Sequence, residues 1–400
     1  MNGLKALAVA CLVFLLASTT ESALLYRMSY ALLAAVVVCF LWSLASIGWV
    51  SMARQPQSLR AQVGETLEEK LTVWNTGLWP KLWLEVRDHS DLPGYQPSRV
   101  VSLAPLRSVS WMSAARCWRR GEYRLGPVSL SSGDPFGFFR WTRRAKSALH
   151  LLVYPATVDL GQFNLSSGDL TGGASQSGGP HQPAASVGGV REYVPGDSLS
   201  RIHWPSTARA RRFIVKEFEF DPTSEVWLVL DLQASVQRGQ GDDSTEEYGV
   251  VIAASLTRRL LEIGRAVGLL ANANPPLVVP MDRGPRQLVR VLERLAVVRA
   301  DGRRSVAELL LAESSRFDRS TTAIVVTPSA DESWPLALRQ ATQRGARALA
   351  VFLEPASFSG QEGEPAMLAS LAAANTSTYV VKKGDPLPEA LARPLAGVPA

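Results

Sequence analysis

A chain of 400 residues with 46% hydrophobic and 20% charged side chains is too long for one small core and too apolar for a disordered polymer, which leaves a folded protein of about two domains plus accessory segments. A formal charge of +6 favours anionic surfaces, phospholipid or nucleic acid, without choosing between them. Of its three cysteines, Cys11 and Cys39 lie inside apolar runs and Cys117 stands alone, so no disulfide framework or thiolate zinc site is implied.

Residues 31–50, ALLAAVVVCFLWSLASIGWV, carry no charge and have the length of a bilayer-crossing helix, with Trp49 expected at the interface. The earlier run from Leu4 to Ala17 contains only Lys5 and extends to Leu25 if Glu21 sits among the far head groups. We read residues 1–54 as a transmembrane helical hairpin. The alternative for the first run is a cleaved signal peptide, which Lys5, the apolar stretch and the small Ala17 and Ser18 imitate. Lys5 before the first run and Arg54 and Arg60 after the second place both ends inside, with the Glu21 to Arg27 connection outside. The expectation is a multi-pass protein of the cell inner membrane whose body faces the cytoplasm.

From residue 55 to 160 the pattern has period two. Leu67, Glu69, Leu71 and Val73 alternate with polar neighbours, Leu82, Leu84 and Val86 repeat the pattern, and Pro93-Gly94 and Gly133-Asp134-Pro135 supply turns. Short strands and frequent turns predict a β-sandwich. Trp74, Trp79, Trp83, Trp111 and Trp118 read as core or edge aromatics. Residues 161–189 are rich in Gly, Ser and Pro and read as a linker. No Lys-Ser or Lys-Thr follows their glycines, which excludes a Walker phosphate loop.

Residues 190–222 crowd charges, aromatics and turn residues together. Pro195-Gly196-Asp197 is a turn, and Asp197 or Ser198 can cap a short helix through Ile202 to Trp204 that Pro205 stops or redirects. Arg191, Arg201, Arg209, Arg211 and Lys216 can pair with Glu192, Asp197, Glu217 and Glu219, or with an external anion. A structural salt-bridge clamp and a docking surface are both open on this composition.

From residue 223 to 390 strand and helix alternate. VWLVLDL ends at Asp231, and a helix follows through Ala253, Leu256, Leu260 and Ile263. Strands are expected at Leu269–Leu270, Ala323–Val326, Ala348–Phe352 and Tyr379–Val381, and helices near 286–295, 306–312 and 335–344. This is an open, largely parallel α/β sheet with its functional edge at the strand carboxyl ends. Residues 391–400 form a tail.

Arg191, Glu192, Tyr193, Gly196 and Asp197, then Ile202 and Trp204, then Thr207, Ala208 and Arg209, then Lys216 and Glu217 match positions of the pattern R-E-Y-x-x-G-D, R-x-I-x-W, T-A-R and a K-E strand. In this the chain resembles the bacterial family of membrane-anchored proteins catalogued as domain of unknown function 58. The segment RGEYRLGPVSLSSGDPFGFFR from Arg120 to Arg140 is similar to that family's entry into the signature domain. Pro205 and His203 depart from the residues common at their positions. The resemblance implies a von Willebrand factor A-like domain after the signature, and partnership with a MoxR-type AAA+ ATPase and in some cases with transglutaminase-like membrane proteins. It also implies a magnesium loop of the D-x-S-x-S kind. Here the loop is Asp231-Leu232-Gln233-Ala234-Ser235, with Gln233 in place of one hydroxyl, and Thr327-Pro328-Ser329 lacks the expected acid. Metal binding by Asp231 and Ser235 is therefore expected to be weak or absent, with Asp231 capping the next turn.

His89, His150, His181 and His203 form no i,i+4 pair and sit beside no thiol or nucleophile elbow. Asp197, Glu192 and His203 are the best acid–base set, and no nucleophile is spaced to meet them. The preferred expectation is a membrane-anchored, non-enzymatic adaptor that docks a cytoplasmic partner through the signature segment and the α/β domain. An envelope-facing module gripping cell-wall material through the β-sandwich is the second. Nucleic-acid binding, resting on Arg140, Arg143, Arg144 and Lys146, is not expected, since acidic lipid satisfies that run equally well.

Overall fold

Residues 2–145, 148–163, 187–194, 202–218, 225–343, 345–360, 376–392 and the single positions 367, 370, 371 and 394 are described by a computed structural model. The chain divides into two units, Met1–Tyr154 and Pro155–Ala400.

The first unit opens with two apolar helices, α1 (Asn2–Thr20) and α2 (Ala23–Ile47), both long and apolar enough to cross a membrane. They form a hairpin. α1 buries Ala10 and Ala17, seven residues apart, while α2 buries Ser29, Val36, Cys39 and Ser43. Small side chains of this kind let apolar helices approach closely. The connection is only Glu21 and Ser22: Arg27 lies inside α2, because nothing from Ala23 onward interrupts the helix. The second helix accordingly runs over 23–47 rather than 31–50, and Trp49 follows it in a left-handed conformation (φ 53°).

Ten strands follow: β1 (Val50–Pro56), β2 (Arg60–Gln62), β3 (Thr66–Asn75), β4 (Lys81–Asp88), β5 (Ser98–Leu103), β6 (Ser108–Arg116), β7 (Gly121–Leu125), β8 (Val128–Gly133), β9 (Arg140–Ala145) and β10 (Leu149–Tyr154). They form sheets ordered β1-β3-β6, β5-β4-β8-β9 and β2-β10-β7. Val73 of the first sheet and Leu84, Val86, Val101, Leu103, Val128 and Leu130 of the second share one core, which also takes in Val50. A second core gathers Leu67, Leu92, Cys117, Leu125, Leu151 and Val153.

Leu67, Glu69, Leu71 and Val73 are all buried, as the alternation of β3 predicts. Glu69 tolerates burial because Arg54 meets it at 2.8 Å, Arg54 also pairs with Asp88, and Tyr95 donates to it. Arg54, counted by the sequence among the positive charges that set the orientation, has its side chain inside the unit. In β4 the alternation fails. A register shift between Lys81 and Leu84 turns Leu82 and Trp83 outward and Lys81 inward, where its ammonium donates to the Ala45 carbonyl and burial lowers its pKa. Trp111 is half-buried and packs against the first core, Trp74 is half-buried, and Trp79, Trp83 and Trp118 are exposed, so these tryptophans lie at the edge of the core and on the surface.

In the second unit, β11 (Val187–Glu192) pairs antiparallel with β12 (Ile214–Phe218), and α3 (Trp204–Ala210) lies between them in sequence. The Gly/Ser-rich linker falls largely outside the described residues. A six-stranded sheet then takes the order β15-β14-β13-β16-β17-β18, from β13 (Glu225–Leu230), β14 (Ala266–Ala271), β15 (Leu277–Asp282), β16 (Thr321–Thr327), β17 (Arg347–Leu353) and β18 (Ser377–Val381). All neighbours are parallel except β14 and β15. The expected strands and helices are present. β15 was not anticipated; its Pro280 is tolerated because an edge strand need not donate on its free side.

On one face, α6 (Val306–Ala312) and α7 (Ser333–Gln343) pack Leu309, Leu310, Trp334 and Leu338 against Trp227, Val229, Val325 and Phe352. α4 (Thr245–Glu262) packs against β13, β14, β16 and β17 and buries Val250, Ala253, Leu256 and Leu260. Gly249 leaves room there for Leu230 and Leu353. α4 starts where Ser244 accepts from the Glu247 amide, with Glu246 and Glu247 in the first turn. α5 (Pro285–Val297) packs against α4 and β15. Strand order reverses between β13 and β16, and in open α/β sheets ligand crevices form at such a point.

Candidate functional site

Two places carry the residues singled out by the sequence. The first is the hairpin of β11 and β12, where Arg191 lies opposite Val215 and Glu192 opposite Ile214. Tyr193 N donates to the Phe213 carbonyl at 2.9 Å, and Ile202 bridges to Val215, both of these side chains being buried. α3 begins at Trp204 with Pro205 in its first turn, while of the short helix expected before Pro205, Ile202 lies in a β-bridge and residues 195–201 fall outside the described residues. The missing N–H of Pro205 is one the first turn leaves unpaired anyway. His203 N donates to Ile214 O at 2.8 Å, and the Thr207 hydroxyl accepts from Ile214 N at 3.1 Å. The T-A-R element thus fastens α3 onto β12. His203 Nδ1 lies 2.7 Å from Ser206 Oγ, a local turn contact.

This framework leaves Trp204 64% exposed and Phe213 54% exposed, with Val194 also outside. Phe213 makes an edge contact with Tyr193 (centroids 6.1 Å). Arg209, Arg211 and Arg212 are exposed alongside, and Glu192 pairs with Arg212 at 3.3 Å, a partner not anticipated. Arg212, Phe213 and Val194 had no pattern to announce them; the Tyr193 N–Phe213 O and His203 N–Ile214 O bonds bring their segments next to the start of α3. Of the expected site residues, Tyr193, Trp204 and Arg209 share this surface and Ile202 is interior. Arg191, Lys216 and Glu217 are described as β11 and β12 backbone. Gly196, Asp197 and Arg201 lie outside the described residues.

The second place is the reversal of strand order. Asp231, immediately after β13, is 2% exposed. Its Oδ1 accepts from Gln233 N at 3.1 Å, the turn cap expected of it, and from Asn272 Nδ2 at 2.8 Å; its Oδ2 accepts from Thr327 Oγ1 at 2.6 Å. Asn272 also accepts from Leu232 N and donates to Arg304 O at 2.9 Å. Gly302 lies so close to Asn272 that a Cβ would overlap its carbonyl oxygen. Burial pushes the Asp231 carboxyl above its ordinary pKa, against the pull of the Thr327, Asn272 and Gln233 donors. Ser235 is exposed and accepts from Gln233 Nε2 at 2.8 Å.

Such a node does not fit a magnesium site. A hard divalent cation needs several converging oxygens, whereas here one buried carboxylate is engaged by three donors and Asn272 presents its N–H side. Among the described residues no three His, Cys, Asp or Glu side chains are grouped to hold a metal. Asn272 and Gly302 were missed because their partners lie tens of residues away in sequence.

The chain is similar to the uncharacterized protein YeaD of Bacillus subtilis, 24% identical over 307 residues that cover 74% of this chain and 75% of YeaD. It is 31% identical over 117 residues to the uncharacterized protein Rv1480 of Mycobacterium tuberculosis, covering 29% of this chain and 37% of that protein. Among solved structures, proximal thread matrix protein 1 of the mussel byssus is 12% identical, covers 44% of this chain and 46% of its own, and has a TM-score of 0.31. A likeness that low assigns no fold. Residues 189–354, which hold the β11–β12 hairpin and the Asp231 node alike, match the family described as "Protein of unknown function DUF58".

Proposed function

We propose that this protein is a membrane-anchored, non-catalytic adaptor that docks a cytoplasmic partner through the β11–α3–β12 hairpin and the carboxyl edge of the α/β sheet. The observation that carries the reading is the exposure of Trp204 and Phe213 beside Arg209, Arg211 and Arg212 on a framework pinned by Ile202, Thr207 and Val215. Large aromatics and arginines held rigidly at a surface are the residue types that dominate binding energy at protein interfaces. The resemblance to DUF58 proteins supports a MoxR-type AAA+ ATPase as the partner, a transglutaminase-like membrane protein as a further one, and a von Willebrand factor A-like reading of the sheet. Helices α1 and α2 supply the anchor, and exposed Lys5, Arg60, Arg143 and Arg144 support a body on the cytoplasmic side.

Co-purification from detergent extracts tests the adaptor. The wild type retains the ATPase, whereas Trp204→Ala and Arg209→Ala lose it; unchanged recovery contradicts the reading. Protease added outside intact cells leaves the body uncut if it faces the cytoplasm.

A further inference from the structure

α1 from Gly3 to Thr20 and α2 from Ala23 to Phe40 each rise about 27 Å at 1.5 Å per residue, close to the roughly 30 Å hydrocarbon thickness of a bilayer. The level of Gly3 and Phe40 therefore marks one membrane boundary. In the half of the hairpin nearer its turn Phe14, Tyr26 and Tyr30 cluster with ring centroids 5.8–6.4 Å apart. Beyond Phe40 the last turns of α2 enter the β unit. Ser43 and Ser46 are buried there, and Trp141 Nε1 donates to Ser43 Oγ at 2.9 Å.

The β8–β9 loop meets that boundary. Phe139 packs edge-on against Phe40 (centroids 5.4 Å), a Cβ on Gly3 would overlap the Phe139 ring, and Asp134 neighbours Cys39. The loop is built to hold its shape: buried Asp134 accepts from Phe136 N at 3.0 Å and Phe139 N at 2.6 Å, and Gly137 takes the left-handed turn (φ 74°). The result is Phe136, 73% exposed, in a loop whose Phe139 meets the start of α1 at Gly3. Trp79, which packs against Trp42 of α2 (centroids 4.9 Å), and Trp83, which lines a cleft with the loop, carry the apolar surface round the same end, and Leu78 and Leu82 are exposed beside them in sequence. Arg140 lies over Trp83 at 5.1 Å. Exposed aromatics with arginine at this depth have the composition of an interfacial anchor.

We infer that the β8–β9 loop and the neighbouring Leu82–Trp83 bulge form a collar that inserts into the interfacial layer of the same bilayer the hairpin crosses, with Phe136 as its tip. The collar adds a second hold on the bilayer to the one that α1 and α2 supply. Its occupant is phospholipid, because the apolar surface is continuous with α1 and α2 at Gly3, Phe40 and Trp42. The inference rests on the membrane-spanning reading of those helices.

The test places the photoreactive residue benzoylphenylalanine singly at Phe136, Leu82, Leu15 and Glu65 of the full-length protein, reconstituted in vesicles of equal parts phosphatidylcholine and phosphatidylglycerol. Irradiation is followed by mass spectrometry of the adducts. Leu15 reports the hairpin, and Glu65 belongs to the second core's side of the β unit. The expected result is phospholipid adducts from Phe136 and Leu82 comparable in yield to Leu15 and severalfold above Glu65. Lipid adducts from Leu15 with none, or protein adducts only, from Phe136 and Leu82 overturn the collar and leave the anchor standing. No lipid adduct from Leu15 removes the membrane reading and the collar with it.

Discussion

Thr327 Oγ1 donates to Asp231 Oδ2 at 2.6 Å across the point where the strand order reverses, joining the carboxyl ends of β13 and β16. The crevice position that commonly holds a ligand in open α/β sheets is here closed by a buried hydrogen-bonded node. Asp231 acts on the shape of the sheet edge, and the exposed chemistry lies elsewhere, on the hairpin that carries Trp204.

Removing one donor from that node leaves a buried carboxylate underpaired. Thr327→Val is expected to destabilise the protein by about 1–3 kcal/mol, and Asn272→Ala by at least as much because it also releases Leu232 N and Arg304 O. Gly302→Ala acts on the same node by pushing Asn272 aside, an overpacking cost of about 1–3 kcal/mol. Urea midpoints of the purified variants check all three.

The pH dependence of the node has a definite sign. Because burial raises the Asp231 pKa in the folded state, the native protein holds this proton more tightly than the unfolded chain. Its contribution to stability is then full below the unfolded carboxyl pKa of about 3.9 and is lost as pH rises through the folded value. The stability advantage of the wild type over Asp231→Asn should therefore shrink with rising pH over that window. Paired thermal unfolding curves across mildly acidic pH measure it; an advantage that widens contradicts the assignment.

Arg54 neutralises two buried acids in the β unit, Glu69 and Asp88. Arg54→Met leaves both uncompensated, and loss of one partner from a buried pair costs about 3–5 kcal/mol. Tyr95→Phe removes one donor to Glu69 and should cost about 1 kcal/mol. Thermal unfolding in detergent separates the two.

Trp204→Ala and Phe213→Ser remove exposed side chains from a hairpin whose fastening runs through Ile202, Thr207 and Val215. They should change stability by no more than about 0.5 kcal/mol while abolishing partner recovery. Thr207→Val is the converse case: it loses the Ile214 contact and should lower both together.

Local pattern carried much of this fold. The alternation of β3 announced its buried side, including Glu69, and buried runs announced β13, β16 and β17, because period and length are properties of neighbours in sequence. Where long-range geometry decides, the sequence misled. Arg54 read as a flanking charge that sets orientation, whereas Glu69 and Asp88, from two other strands, close on it. Leu82 and Trp83 left the core because a register shift after Lys81 reverses the faces of β4. Pro205 reads as a stop and stands in the first turn of α3, since the two roles differ only in where the preceding chain turns. The Asp231 node was half legible: the acid closes a recognisable strand, but Asn272 and Gly302 reach it only through the sheet.

Site-specific photocrosslinking from Phe213 in native membranes, with identification of the adduct, addresses the adaptor most directly. The account predicts an AAA+ ATPase joined at that position and lost when Arg209→Ala is introduced in the same chain. Membranes that contain the ATPase but give no adduct, or an adduct indifferent to Arg209, contradict it.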